Sequence, residues 1–191
     1  PRNIVKIGGV SADASYELPD MSWIGGSTLN AIGSWRTSSS DSQFDGDFSY
    51  YDAVLAYTLE DLDQYSAELR FTSPGSQFVD YQTGFYFYHL DLNTVDRNGF
   101  EWDLVNLFPS TGGPTLNVGD NNHQTWSYGG FGQATINLHE QLSVTGGARV
   151  TYEKKARVGT QTSRVWRNIG GVWQYAPPVI EAPPIIGPDT Y

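Results

Sequence analysis

The chain has 191 residues, enough for one ordinary domain, and no cysteine, which excludes a disulfide framework, a thiolate metal site and a thiol nucleophile. Gly (21), Tyr (12), Phe (9) and Trp (6) are plentiful, only 17% of residues are charged, and Leu-rich amphipathic helical runs are missing, so the composition points to an all-β chain. The net charge of −10 argues against a nucleic-acid partner, because phosphate binding needs clustered Lys and Arg.

The first 27 residues contain Gly8-Gly9, Pro19 and Gly25-Gly26, and only Asn3 to Ile7 could form a strand. Residues 1–27 are therefore expected to be an irregular lead-in. From Thr28 to Thr37 the pattern becomes periodic. Leu29, Ala31, Gly33 and Trp35 fall on one face and Asn30, Ser34 and Arg36 on the other, with Ile32 the exception. Between Thr37 and Gln64 lie Asp41, Asp45, Asp47, Asp52, Glu60, Asp61 and Asp63 with no basic residue, so residues 38–63 read as a long acidic loop. Its stretch Asp41 to Asp47 lacks the EF-hand spacing and a bidentate Glu, and a solvated loop is a better reading than a cation site.

The second strand, Gln64 to Ser73, opposes Tyr65, Ala67, Leu69 and Phe71 to Ser66, Glu68, Arg70 and Thr72. Pro74-Gly75-Ser76 makes a tight turn, with Pro fixing φ and Gly supplying the permissive position. The third strand runs from Gln77 to Asp91, with Val79, Tyr81, Phe85 and Phe87 against Asp80, Gln82, Gly84 and Tyr86. Residues 92–124 read as a second long loop. Strands four and five, Trp126 to Leu138 and Leu142 to Glu153, form a hairpin across His139-Glu140-Gln141. In the fifth, Leu142, Val144, Gly146, Ala148, Val150 and Tyr152 alternate with Ser143, Thr145, Gly147, Arg149, Thr151 and Glu153. After Lys155 the alternation fades. Residues 158–191, with Pro177, Pro178, Pro183, Pro184 and Pro188, are expected to be a loop or tail.

Strands of 10 to 15 residues exceed the usual five or six of soluble sheets and suit the ~9 to 11 needed to cross a membrane at a tilt. No window approaches the ~18 to 20 apolar residues of a spanning helix, and Pro1-Arg2-Asn3 does not open a signal peptide. A hydropathy scan would thus favour a soluble protein, but that inference fails for β-barrels, whose walls alternate. Short turns at one end and long connections at the other are the pattern of such a wall.

Three stretches, Asp45-Gly46-Asp47-Phe48, Tyr65 to Pro74 and Thr83-Gly84-Phe85-Tyr86-Phe87-Tyr88, resemble TonB-dependent outer-membrane receptors of the branch abundant in sphingomonad-like proteobacteria. The hairpin from Tyr128-Gly129-Gly130-Phe131-Gly132-Gln133-Ala134 through Leu142 to Lys155 resembles the next wall segment of that family, in the same order. The resemblance covers roughly residues 28–157. It implies an antiparallel meander forming part of a 22-stranded transmembrane β-barrel closed around a plug domain, of which neither the plug nor its energy-coupling box is visible in this chain. It further implies bacterial outer-membrane localisation and import of a scarce nutrient, usually a ferric siderophore. The implied partners are TonB and the inner-membrane energy-coupling complex through the plug, together with lipid and lipopolysaccharide. On this resemblance the Pro74 and His139 turns are periplasmic, and the long loops are extracellular and capture ligand.

Arg36, Glu68, Arg70, Arg149 and Glu153 share the polar faces. In a wide barrel they would face the lumen or plug, because exposing Arg to lipid at the midplane costs about 2 to 4 kcal/mol. Cross-strand pairing and plug contact are a better account of them than direct ligand binding. Trp35, Tyr65, Tyr81, Phe85, Phe87, Trp126, Tyr128 and Tyr152 lie on the apolar faces, as an interfacial aromatic girdle would. His89, His123 and His139 sit on separate elements without metal-type spacing, and a satisfied strand-end residue is the expected role of His89. No nucleophile elbow, phosphate loop or dinucleotide fingerprint occurs, so no catalytic, cofactor or metal residue is assigned and no enzyme is expected. The rival reading is a secreted soluble β-sandwich that binds carbohydrate. It requires Leu69, Phe71, Val144 and Val150 to pack in a dry core.

Overall fold

A computed structural model describes residues 2–19, 26–45, 50, 54–100, 114–169, 172–175, 180–181 and 187–190. Among them there is no helix. The strands are β1 (Arg2–Glu17), β2 (Thr28–Asp45), β3 (Val54–Thr72), β4 (Val79–Phe100), β5 (Thr115–His139), β6 (Leu142–Ile169), β7 (Val172–Tyr175), β8 (Ile180–Glu181) and β9 (Gly187–Thr190). They form one antiparallel meander in the order β1 to β7, with β8 and β9 also pairing along β6.

All five alternating stretches seen in the sequence are strands, and every strand is longer than its alternation indicated. Residues 38–45 and 54–63 are ladder rather than acidic loop: Ser38 to Asp45 pair in unbroken register with Leu62 to Leu55. Likewise Leu92 to Phe100 pair with His123 to Thr115, leaving a much shorter connection than 92–124. The reason is that alternation disappears where both faces meet water, while the backbone ladder needs no alternation to continue. The segment 46–49, which carries Gly46 and Asp47 of the acidic stretch, lies outside the described residues.

The first 27 residues hold a complete strand, β1, rather than an irregular lead-in. Val10, Ala12, Ala14 and Tyr16 alternate with Ser11, Asp13, Ser15 and Glu17 there, and the register continues through Gly8 and Gly9 without a bulge. A Cβ on Gly9 would lie 2.8 Å from the Trp35 carbonyl oxygen, so the glycine permits a close backbone approach and does not break the strand. At the other end β6 runs on to Ile169, and β7, β8 and β9 pair with its far edge in three short pieces. Pro188 sits in β9 opposite Ala156, as an outermost strand can accept.

Three connections lie at one end of the sheet: residues 18–27, 73–78 and 140–141. Gly75 (φ 84°) and Ser76 (φ 59°) turn the second in left-handed conformations. Ser73 closes it, its N–H donating to the Tyr81 carbonyl at 2.8 Å and its hydroxyl accepting from the Tyr81 N–H at 3.0 Å. Asn137 then ties β5 to this turn, donating from Nδ2 to the Gln77 carbonyl at 2.7 Å and to Asp80 Oδ2 at 2.9 Å.

No second layer covers the sheet among the described residues, and the only large-to-small side chain fully removed from solvent is Ser27. Leu69 is 48% exposed, Val144 54% and Val150 76%. The dry core demanded by a soluble sandwich is therefore not formed. The polar face is the more covered one: along β3, exposed Tyr65, Ala67 and Leu69 alternate with half-buried Ser66, Glu68 and Arg70. Soluble sheets do the reverse, because burying apolar area is what stabilises them in water.

Candidate functional site: a two-faced wall

In an antiparallel ladder, directly opposed residues share a face, so the register sorts the side chains of β1 to β6 into transverse rows. On the apolar face, successive rows are Leu29–Phe71–Thr83–Gly132–Ala148, then Ala31–Leu69–Phe85–Gly130–Val150, then Gly33–Ala67–Phe87–Tyr128–Tyr152. The next row is Val10–Trp35–Tyr65–His89–Trp126–Lys154. Its rings touch in sequence: the His89 ring stacks on Trp126 at 5.0 Å between centroids and on Tyr65 at 6.2 Å. All eight aromatic residues that the sequence placed on apolar faces lie on this one face.

One row beyond, the apolar face changes character. Thr37, Asp63, Asp91 and Gln124 are aligned, followed by Ser39, Asp61, Asn93 and Asn122. Trp35 Nε1 donates to Asp63 Oδ1 at 3.2 Å, linking the aromatic row to the polar one. Asn122 Nδ2 donates to Asp91 Oδ1 and to Asn93 Oδ1, both at 2.7 Å, and Gln124 Nε2 donates to Asp91 Oδ2 at 3.1 Å. Adjacent carboxylates on neighbouring strands repel. Here Asp63 and Asp91 are each held by neutral donors.

The apolar band thus has a sharp upper limit. In β4 it runs from Val79 to His89, ten residue steps, which at ~3.3 Å each is about 33 Å along the strand. At a tilt of ~40° that becomes about 25 Å along the sheet's perpendicular height, the height of a lipid-facing barrel band.

The opposite face carries all five polar residues singled out from the sequence: Arg36, Glu68, Arg70, Arg149 and Glu153. They pair along strands rather than across them. Arg70 Nε donates to Glu68 Oε1 at 2.9 Å, with its Nη2 on the same oxygen, and Lys155 Nζ lies 2.8 Å from Glu153 Oε1. Spacing of i and i+2 on a strand puts both members on one face, which makes such pairs geometrically natural. Arg149 bonds within its own strand, its Nε donating to Thr151 Oγ1 at 3.2 Å, and also reaches across strands, its guanidinium lying 5.9 Å from the ring centre of Tyr86. Arg36 lines an open depression of about 560 Å³ with Gly8, Gly9, Ser34 and Gln64.

Two features of this face have no clear signal in the sequence. Inward of Glu68 and Arg70, Phe131 lays its ring over Gly84, where a Cβ would fall 2.5 Å from Phe131 Cζ and 2.8 Å from the Leu69 carbonyl oxygen. Above Tyr88, the same β4 stripe continues as Leu90 and Leu92, beside Leu62 on β3 and His123, Lys155 and Arg157 on β5 and β6. Leu92 and His123, expected in a loop from the sequence, lie in β4 and β5.

Comparison with known families agrees with this geometry. The profile described as TonB dependent receptor-like, beta-barrel matches residues 3–180. The chain belongs to that family, and it is a β-barrel portion of a TonB-dependent outer-membrane receptor. Comparison with curated proteins finds no match.

Proposed function

We propose that this segment forms part of the wall of a barrel that imports a scarce nutrient, a ferric siderophore being the best candidate, with energy delivered by TonB and the inner-membrane complex through a plug domain. The apolar face would meet lipid, and lipopolysaccharide above the aromatic row. The polar face, with Arg36, Glu68, Arg70, Arg149 and Glu153, would line the lumen and contact the plug. Turns 73–78 and 140–141 would be periplasmic. The extended ends of β2 to β6 would stand above the membrane and carry the ligand-capturing connections.

One observation carries this reading: along β3 the apolar Tyr65, Ala67 and Leu69 are exposed while their polar neighbours Ser66, Glu68 and Arg70 are half-buried, within an apolar band of membrane height. That arrangement costs free energy in water, since each large exposed side chain forgoes roughly 1.5 to 3 kcal/mol of burial. In lipid the cost disappears and the paired charges stay out of the hydrocarbon.

The test is uptake in cells that carry the intact receptor. Radiolabelled iron delivered as siderophore complexes should enter under iron limitation. Deletion of the receptor or of TonB should each abolish entry of the same complex. Entry that survives both deletions would refute the assignment.

A further inference from the structure

We propose that the lipid-side flank of β3 to β5, just above the aromatic row, seats a neutral sugar-headed lipid of the outer leaflet through its headgroup hydroxyls and keeps lipid phosphate away; this rests on the transporter reading and adds the headgroup class. The place is continuous with the apolar band. The Trp35–Tyr65–His89–Trp126 row ends that band, and the next two rows on the same face are Asp63–Asp91–Gln124 and Asp61–Asn93–Asn122, at the height where headgroups begin. On β2 to β5 these two rows hold the carboxylates Asp61, Asp63 and Asp91 and no cation. The nearest cations on this face are Lys6 on β1 and Lys154 on β6. Each is two strands from the nearest of these carboxylates, about 10 Å or more between backbones and so about a Debye length at physiological salt.

The hydrogen-bonding capacity left open here is one-sided. Asn122 Nδ2 carries two hydrogens, and both are used inside the ladder, on Asp91 Oδ1 and Asn93 Oδ1. Gln124 Nε2 uses one on Asp91 Oδ2, and Trp35 Nε1 uses its single hydrogen on Asp63 Oδ1. Among the described residues, what remains is mostly acceptor: the exposed Asp61 carboxylate, Asp63 Oδ2 and the side-chain carbonyls of Asn122 and Gln124. An ionised phosphate diester has no donor, so at this place it meets like charge and finds few hydrogen bonds. Sugar hydroxyls bring O–H donors without charge. The open acceptors reach from β3 to β5, about 10 Å at the usual interstrand spacing. A headgroup with several hydroxyls spans that distance, whereas a lone ammonium group meets one end of it.

The test uses the intact receptor in a polyoxyethylene detergent, which carries no sugar, with native mass spectrometry to count retained lipid. A diglucosyl diacylglycerol, a phosphatidylglycerol and a phosphatidylethanolamine with the same acyl chains are offered at equal concentration. The diglucosyl lipid should be retained about 5-fold over either phospholipid, a margin that a few exposed hydrogen bonds can supply. The pair Asp61→Lys and Asp63→Lys should reverse the preference toward phosphatidylglycerol, and Asp61→Asn, which keeps the shape and removes the charge, should weaken the discrimination against it. Glu60→Lys makes the same charge change one residue away on the opposite face and should leave the preference as it is. Circular dichroism checks that each variant keeps its sheet, and where the double variant does not fold, the wild type and Asp61→Asn decide. Equal retention of the three lipids, preference for either phospholipid, an unchanged double variant or an equal effect of Glu60→Lys would each overturn the inference. TonB-dependent uptake by the wild-type receptor is measured separately and reports on the transporter reading whichever lipid is retained.

Discussion

Arg149 on β6 crosses its neighbour β5 to place its guanidinium 5.9 Å from the ring centre of Tyr86 on β4. The strand between them carries glycine at the crossing point. A Cβ on Gly129 would lie 3.4 Å from Arg149 Nη2 and 3.5 Å from Thr151 Oγ1, so an alanine fits and a larger side chain does not. The contact therefore joins three strands on the polar face. A double-mutant cycle of Arg149→Met and Tyr86→Leu, measured by denaturant unfolding of the intact barrel, should give a coupling of about 0.5 to 1 kcal/mol. Gly129→Leu should remove that coupling by itself.

Gly84 is the least replaceable glycine of the polar face. Its added Cβ would meet the Phe131 ring and the Leu69 backbone carbonyl, and only the ring can move. Gly84→Ala should destabilise the barrel by about 1 to 3 kcal/mol, as overpacking does. Combining it with Phe131→Ala should relieve only part of the loss, because the carbonyl remains. Full recovery in unfolding measurements would show that the ring alone sets the constraint.

Neighbouring positions should respond oppositely to charge. Leu69→Arg puts a guanidinium on the apolar face near mid-band and should cost about 2 to 4 kcal/mol in a bilayer. Ser66→Arg, on the covered polar face, should cost far less. The yield of folded receptor in vesicles, followed by urea unfolding, checks the difference.

The turn at residues 73–78 gives a smaller, local test. Gly75 has φ 84° and Ser76 φ 59°, both unfavourable for side chains with a Cβ. Gly75→Ala should destabilise by about 1 to 2 kcal/mol, whereas Ser76→Gly should be neutral or mildly stabilising. Refolding yield and unfolding midpoint report both.

Where the sheet crosses between two unlike solvents, the sequence displays it plainly. Leu69 and Arg70, or Val150 and Thr151, must face different media, so they alternate and the five central strands are legible. Above the Trp35–Trp126 row both faces meet water, and Leu59, Glu60, Asp61 and Leu62 follow no period although they lie in unbroken ladder. The acidic charge there marked solvent exposure, not absence of a strand. β1 was legible in principle, through Val10 to Glu17, but Gly8 and Gly9 read as a break when both lie in ladder and Gly9 is a close approach to Trp35 and Arg36. The five polar residues were placed on their shared face by alternation. The partner across strands was not, because Tyr86 beneath Arg149 depends on register and on the room left by Gly129.

The central claim is that alternate residues of one strand face lipid and lumen. Nitroxide labels placed singly from Tyr65 to Thr72 in the intact receptor, reconstituted in lipid vesicles, test it most directly. Labels at Tyr65, Ala67, Leu69 and Phe71 should collide with lipid-dissolved oxygen and be shielded from a water-soluble nickel chelate, while labels at Ser66, Glu68, Arg70 and Thr72 should be poorly reached by oxygen. Loss of this two-residue period, or its inversion, would contradict the account.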